Sequence, residues 1–71
     1  MKLENHYTAI IEMYLQKYTQ LKLYIDANGK IAKTEKEQDG VWQLDRNLRK
    51  ILNQLPINFE TTKNLVITLK Q

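Results

Sequence analysis

The chain has 71 residues, with 11 Lys and Arg against 8 Asp and Glu, and it contains no cysteine. A chain of this length predicts one small domain over residues 1–71 and excludes an active site in a cleft between two domains. Without cysteine, disulfides and thiolate zinc sites are excluded. The formal net charge of +3 permits contact with nucleic acid but does not require it.

Hydropathy along the chain argues against membrane association. No apolar run approaches the roughly 18–20 residues that a membrane-spanning helix needs. The start, Met1 to His6, lacks the apolar stretch of a secretory signal. We therefore expect a soluble protein in the cytoplasm that has no membrane partner.

The first segment has the apolar spacing of a long helix from about residue 3 to 27. Its apolar positions recur every three or four residues and are Leu3, Tyr7, Ile11, Tyr14, Tyr18, Leu21 and Ile25. This spacing is close to the heptad repeat that lets one helix lie along another. Asn28-Gly29 follows at once and suits a helix end in the left-handed conformation.

Residues 28–40 are polar and dense in charge, which is typical of an exposed connection. A contact loop for a partner is the alternative interpretation. Asp39-Gly40 marks a turn at the end of this connection.

A second seam of apolar residues then follows, formed by Val41, Leu44, Leu48, Ile51 and Leu55. It predicts a second helix over about 41–55, which Pro56 would end.

The tail after Pro56 is ambiguous. Asn58 is a candidate N-cap for a short third helix over about 59–69, and Thr61 and Thr62 are competing candidates. The run Leu65–Leu69 is also β-branched enough for a strand, but no other segment offers it a clear pairing partner. We therefore predict an all-α fold, an antiparallel helical hairpin with a short third C-terminal helix.

Apolar and aromatic residues outside the hairpin seam predict a further contact surface. The third segment could cover them, or another copy of the chain could. Core packing and an aromatic platform for bases are both open for the tyrosines. The candidates for an oligomer or partner interface include aromatic residues of the seam as well as residues outside it, and are Tyr7, Ile10, Tyr14, Tyr18, Tyr24 and Trp42.

No set of residues indicates catalysis. His6 has no second histidine or carboxylate at metal-binding spacing, and no nucleophile–base pair is visible. We expect no enzyme activity, no cofactor, no metal and no small-molecule substrate. The basic cluster Arg46, Arg49 and Lys50 is either a solvated face or a candidate for contact with DNA phosphates.

A family resemblance covers most of the chain, from about His6 to Leu65, and begins with the predicted long helix, Asn28-Gly29 and the charged connection. The run Asp45-Arg46-Asn47-Leu48, then Lys50-Ile51-Leu52, ends in the segment from Leu55 to Leu65. Together with the first helix, this resembles the helical-hairpin portion of phage terminase small subunits. Thr62, Lys63 and Leu65 occupy the positions of a small hydroxyl residue, a basic residue and a leucine in that family. That family usually carries an N-terminal DNA-binding segment, whereas the long helix is expected to begin almost at the first residue here, so the resemblance does not carry over sequence-specific DNA recognition.

The resemblance implies a non-enzymatic phage protein of viral genome packaging, located in the host cell cytoplasm. Such subunits assemble into rings and recruit a larger subunit, so we expect a homo-oligomer and a larger protein partner. Lys63 joins Arg46, Arg49 and Lys50 as a candidate for DNA contact. The alternative is a small regulator or inhibitor from a mobile element that binds a larger host or phage protein.

Overall fold

The computed structural model describes residues 3–55 and 59–71, with side chains from residue 6 onward. Within these residues the chain forms two helices and four strands, which are α1 (Leu3–Lys17), β1 (Gln20–Ile25), β2 (Ile31–Gln38), β3 (Val41–Leu44), α2 (Arg46–Gln54) and β4 (Leu65–Lys70). The fold is therefore α+β. The predicted all-α helical hairpin with a third helix is wrong.

The first predicted helix, 3–27, ends ten residues early, at Lys17. Thr19 then donates its backbone N–H to the Glu37 carbonyl at 2.8 Å, which turns the chain into the sheet. In β1, polar and apolar residues alternate strictly, and Leu21, Leu23 and Ile25 are buried. A period of two places every second side chain on the same face of a strand, so this segment buries more apolar surface as strand than as helix.

The predicted connection, 28–40, holds most of the β1–β2 turn and all of β2. The predicted second helix, 41–55, is divided between β3 and α2. Asp45 causes this division because its backbone is extended and its carboxylate accepts the Leu48 N–H at 2.9 Å, which makes it the N-cap of α2. The helix ends at Gln54. The expected helix stop at Pro56 and the N-cap at Asn58 lie outside the described residues.

The tail forms a strand, so the helix predicted over 59–69 is wrong and the strand alternative is correct. β4 pairs antiparallel with β1 over its full length, from Leu65 opposite Ile25 to Lys70 opposite Gln20. This pairing partner could not be recognised while the β1 segment was assigned to a helix.

The sheet has the strand order β3-β2-β1-β4, and all neighbours are antiparallel. The β2–β3 hairpin turns through Asp39 (φ 55°) and Gly40 (φ 81°), which are both left-handed, as two-residue hairpin turns require. The β1–β2 register shifts between Tyr24 and Ile25, which leaves a bulge beside Ala32.

Both helices pack on one face of the sheet. The buried core is formed by Ile11, Leu21, Leu23, Ile25, Ile31, Leu48 and Leu52. The Asn53 amide fixes α2 to β2, because it accepts from the Ile31 N–H at 3.2 Å and donates to the Ile31 carbonyl at 2.9 Å. Thr34, which is fully buried, donates its hydroxyl to the Asp45 carbonyl.

Over residues 3–55 and 59–71, neither helix combines the length and the apolar character that crossing a bilayer requires.

Candidate functional site

Among residues 3–55 and 59–71, no helix packs on the second face of the sheet, and we call this face the open face. Side chains directly opposite each other in an antiparallel ladder share a face, so the register assigns its members. Its central residues come from all four strands and are Lys22, Tyr24, Lys33, Glu35, Trp42, Leu44, Val66 and Thr68. The buried residues Leu21, Leu23 and Ile25 point to the opposite, helix-covered face.

One polar cluster on the open face surrounds Tyr24. The Lys33 ammonium lies 4.3 Å from the centre of the Tyr24 ring, and the Tyr24 hydroxyl donates to Glu35 Oε1 at 2.7 Å. Lys33 Nζ is also 3.9 Å from Glu35 Oε2. The hydrogen bond to the Glu35 carboxylate raises the pKa of Tyr24, because loss of the phenol proton would break this bond and place two negative charges side by side.

The second aromatic group of the open face is Trp42, the only tryptophan of the chain. The Lys22 ammonium lies 4.5 Å from the centre of its ring. Such a cation–π contact at an exposed site contributes about 0.5–1 kcal/mol. Nearby apolar side chains remain in water, because Leu44 is 49% exposed and Val66 is 52% exposed.

Glu37, which lies opposite Trp42 in the register, has a structural role instead. Its Oε1 accepts from the Gln20 amide at 2.8 Å and its Oε2 accepts from the Gly40 N–H at 2.9 Å. The side chain is buried. The Glu37 carboxylate therefore stabilises the β2–β3 turn and is not accessible to a partner. The accessible charges of the open face are those of its lysines and of Glu35.

A depression of about 410 Å³ lies at the Tyr24 end of the open face. Tyr24, Lys33 and Val66 of the open face line it together with Ala32 and Asn64. It is large enough for one apolar side chain of a partner, with an ammonium group at its border.

The structure separates the predicted interface residues into two groups. Tyr7, Ile10, Tyr14 and Tyr18 are partly buried against the core on the helix-covered face. Tyr7 packs edge-on against Phe59 with ring centres 5.9 Å apart, and Tyr14 lies 6.1 Å from Tyr18. Burial raises the pKa of Tyr7. Only Tyr24 and Trp42 of the predicted set lie on the open face.

The candidates for DNA contact are also dispersed. Arg46 and Arg49 line one depression of about 230 Å³, together with Lys33. Lys50 is exposed on α2 and does not line this depression. Lys63 lies in the segment before β4, where its backbone N–H and carbonyl both bond the Thr61 hydroxyl, at 3.1 and 2.6 Å.

A third depression, of about 380 Å³, lies between the two helices beside Met13 and Ile51. Its charged pair is Lys36 and Asp45, whose Nζ and Oδ2 atoms are 3.0 Å apart. The hydrogen bond to Asp45 raises the pKa of Lys36, and the Lys36 ammonium also lies 4.8 Å from the Tyr18 ring centre. Because Asp45 also caps α2, we infer that the Lys36–Asp45 pair stabilises the fold and is not a binding site.

The described part of the chain brings together no group of three or more His, Asp or Glu side chains that could hold a metal ion. What the open face offers chemically is reversible contact through two aromatic rings, lysine ammonium groups and exposed apolar side chains. The alternation of polar and apolar residues from Gln20 to Ile25 was the sequence signal that could have revealed this surface.

No protein-family model matches the sequence, and neither a curated protein nor a solved structure shows significant similarity to the chain.

Proposed function

We propose that this chain is a non-enzymatic protein-binding module that acts by docking the open face of its sheet on a larger protein. The observation that carries the proposal is the composition of that face. It holds Trp42 and Tyr24, each beneath a lysine ammonium, next to apolar side chains that no described residue covers.

A sheet face exposed only to water usually carries polar side chains. Here the outward positions of β3 and β4 instead include Trp42, Leu44 and Val66. Tryptophan and tyrosine are the residue types most enriched among the side chains that dominate binding energy in interfaces. The depression beside Tyr24 gives such an interface a place for an anchoring side chain.

Charge indicates the chemistry of the partner. Lys22 and Lys33 flank the two aromatic rings, whereas the Glu35 carboxylate already binds the Tyr24 hydroxyl and lies near Lys33. The surface therefore favours a protein segment with an apolar anchor between acidic residues. Salt should slow association with such a partner, since screening weakens charge contacts at exposed sites.

The role in viral genome packaging stays a prediction. The helical hairpin on which it depended is absent from the described residues, so the proposal is limited to binding a larger protein. Nucleic acid is the rival ligand, because lysines beside aromatic rings also suit phosphates and bases. The Glu35 carboxylate at the centre of the open face disfavours a phosphate backbone there.

The experiment begins with a photo-crosslinking residue placed at Leu44 on the open face or, as the control, at Gln54 on α2, in the cells that produce the protein. The protein crosslinked only from Leu44 is purified, and its affinity for the unmodified chain is measured by calorimetry. We expect Trp42→Ala to weaken binding about 30-fold, the effect of a central interface residue of about 2 kcal/mol. Met13→Ala, which truncates an apolar side chain 63% exposed on α1, should leave the affinity unchanged.

A second pair of variants tests the charge. The double substitution Lys22→Gln with Lys33→Gln should weaken binding and flatten its salt dependence, whereas Lys50→Gln with Lys63→Gln should do neither. Equal losses for Trp42→Ala and Met13→Ala would refute the open face as the contact surface. Tight binding of a labelled 20-nucleotide single strand that Trp42→Ala abolishes would replace the proposal with nucleic-acid binding.

A further inference from the structure

The outer edge of β4 is a second surface, and what can be inferred from it does not depend on the proposed function. β4 is the last strand of the sheet order and pairs only with β1 among the described strands. Natural proteins protect such edges with proline, bulges or inward-pointing charges. The run Leu65–Lys70 has no proline or bulge, its one charged residue is the last, Lys70, and its register with β1 is continuous.

The direction of the free backbone groups follows from one hydrogen bond. Gln71 donates its N–H to the Thr19 carbonyl at 3.3 Å, in register with the β1–β4 ladder. Hydrogen-bonded residues alternate along an antiparallel ladder. Leu65, Ile67 and Leu69 therefore bond to β1, and the N–H and C=O groups of Val66, Thr68 and Lys70 point outward from the edge.

We propose that a second copy of this chain pairs with the edge, β4 against β4, in a symmetric antiparallel dimer centred on Thr68. In this register Thr68 lies opposite Thr68 of the second copy and Val66 lies opposite its Lys70. Every outward-pointing N–H and C=O from Val66 to Lys70 then has a partner.

Side chains on both faces agree with this register. On the helix-covered face it sets Ile67 opposite Leu69 of the second copy, and both residues are only partly buried within one copy. On the open face it sets threonine opposite threonine, a pair that contributes to sheet stability. A dimer centred on Lys70 would set two ammonium groups opposite each other and overlap over fewer residues.

The two-fold axis of this dimer is perpendicular to the sheet, so both pairs of helices lie on the same side. The two open faces then form one continuous surface on the other side. Two four-stranded sheets become one sheet of eight strands, in which β3 forms both remaining edges. This edge strand has only four residues, which limits further growth of the sheet.

The absence of natural cysteine permits a direct test of the register. In a hydrogen-bonded antiparallel pair the Cα atoms lie about 5.5 Å apart, within the range that a disulfide bridges. Thr68→Cys should therefore give a disulfide-linked dimer on mild oxidation. Val66→Cys is the matched control, because its counterparts would lie roughly 14 Å apart along the strands, at about 3.4 Å per residue.

A mixture of Val66→Cys and Lys70→Cys chains should form the mixed disulfide, since these positions lie opposite each other. Light scattering on the unmodified chain should show the mass rising from 8.5 kDa towards twice that value as concentration increases. Circular dichroism of each reduced variant checks that the fold is retained. A mass that stays monomeric at millimolar concentration would overturn the inference, and so would equal crosslinking of the Thr68→Cys and Val66→Cys chains.

Discussion

Asp45 joins the sheet to the second helix, and its substitution separates two contributions to stability. Its Oδ1 caps α2 at the Leu48 N–H, 2.9 Å away, and its Oδ2 pairs with Lys36 at 3.0 Å. Asp45→Asn keeps an acceptor for the cap but removes the charge. Asp45→Ala removes both contacts. The difference between the two variants therefore measures the cap, and Asp45→Asn measures the ion pair.

The structure gives the size of each effect. Loss of an N-cap costs about 1 kcal/mol. Breaking a fully buried ion pair costs about 3–5 kcal/mol, because one charge is left without a partner. Here the Lys36 side chain is 21% exposed and can regain water, so the cost should fall to about 1–2 kcal/mol. We expect Asp45→Asn to lower the free energy of unfolding by about 1–2 kcal/mol and Asp45→Ala by about 2–3 kcal/mol.

The assay is urea unfolding at pH 7, followed by circular dichroism and by Trp42 fluorescence, with the slope m compared between variants. Lys36→Met, which keeps an apolar side chain of similar length, completes a double-mutant cycle with Asp45→Asn. A coupling energy near zero would refute the ion pair as a source of stability. Equal losses for Asp45→Asn and Asp45→Ala would refute the role of the cap.

Three further predictions use the same unfolding measurements. The raised pKa of Lys36 means that the folded state favours the charged form of this side chain, so the stabilisation is complete below about pH 10 and is lost as pH rises through the folded-state pKa. Asp45→Asn should therefore lose less stability at alkaline pH than the unmodified chain. An equal loss of stability in both proteins would contradict this role of the Lys36 charge. Leu23→Ala, at a fully buried core position, should cost about 3 kcal/mol, whereas Met13→Ala should change stability by less than about 0.5 kcal/mol; similar costs would show that the core is assigned wrongly. Gly40→Ala should lower stability by about 1 kcal/mol, because φ at this position is +81°; no atom lies near the added Cβ, so the cost comes from the backbone and not from a clash. Gly40→Asn should lower stability less, and the reverse order would exclude backbone strain as the cause.

The first segment contains two competing periods of apolar residues, one typical of a helix and one typical of a strand. The heptad spacing from Leu3 to Tyr14 belongs to a real helix, α1, which ends at Lys17. Leu21 and Ile25 continue the three- and four-residue spacing by coincidence. They are four residues apart, and residues four apart also lie on the same face of a strand. The strict alternation around Leu23 was the stronger local signal and favoured a strand.

The tail shows why one wrong element led to another. Leu65–Lys70 has strong β propensity, but a strand is stable only beside a partner. Its partner, β1, had been assigned to the first helix. The predicted helix 41–55 contains Asp45 in its interior, although an aspartate shortly before apolar residues at helical spacing is typical of an N-cap, as the structure has it.

The open face could be predicted only in part. The sequence predicts Tyr24 as an interface candidate because it lies outside the heptad seam, and Trp42 because of its residue type and its place beside the charged connection. Their contacts with lysines depend on pairing between strands, as for Lys22 and Trp42, which lie on different strands and meet only across β2. No periodicity within one segment contains that information, so the electrostatics of the surface required the register.

A partner protein that docks on the open face would contact Trp42 directly. Trp42 is the only tryptophan, so incorporation of 5-fluorotryptophan gives a single ¹⁹F NMR signal that reports on this face alone. The most direct measurement follows this signal while the partner captured at Leu44 is added to saturation. We predict that the signal shifts and broadens with the partner bound. An unchanged Trp42 signal at saturation would contradict docking of the partner on the open face.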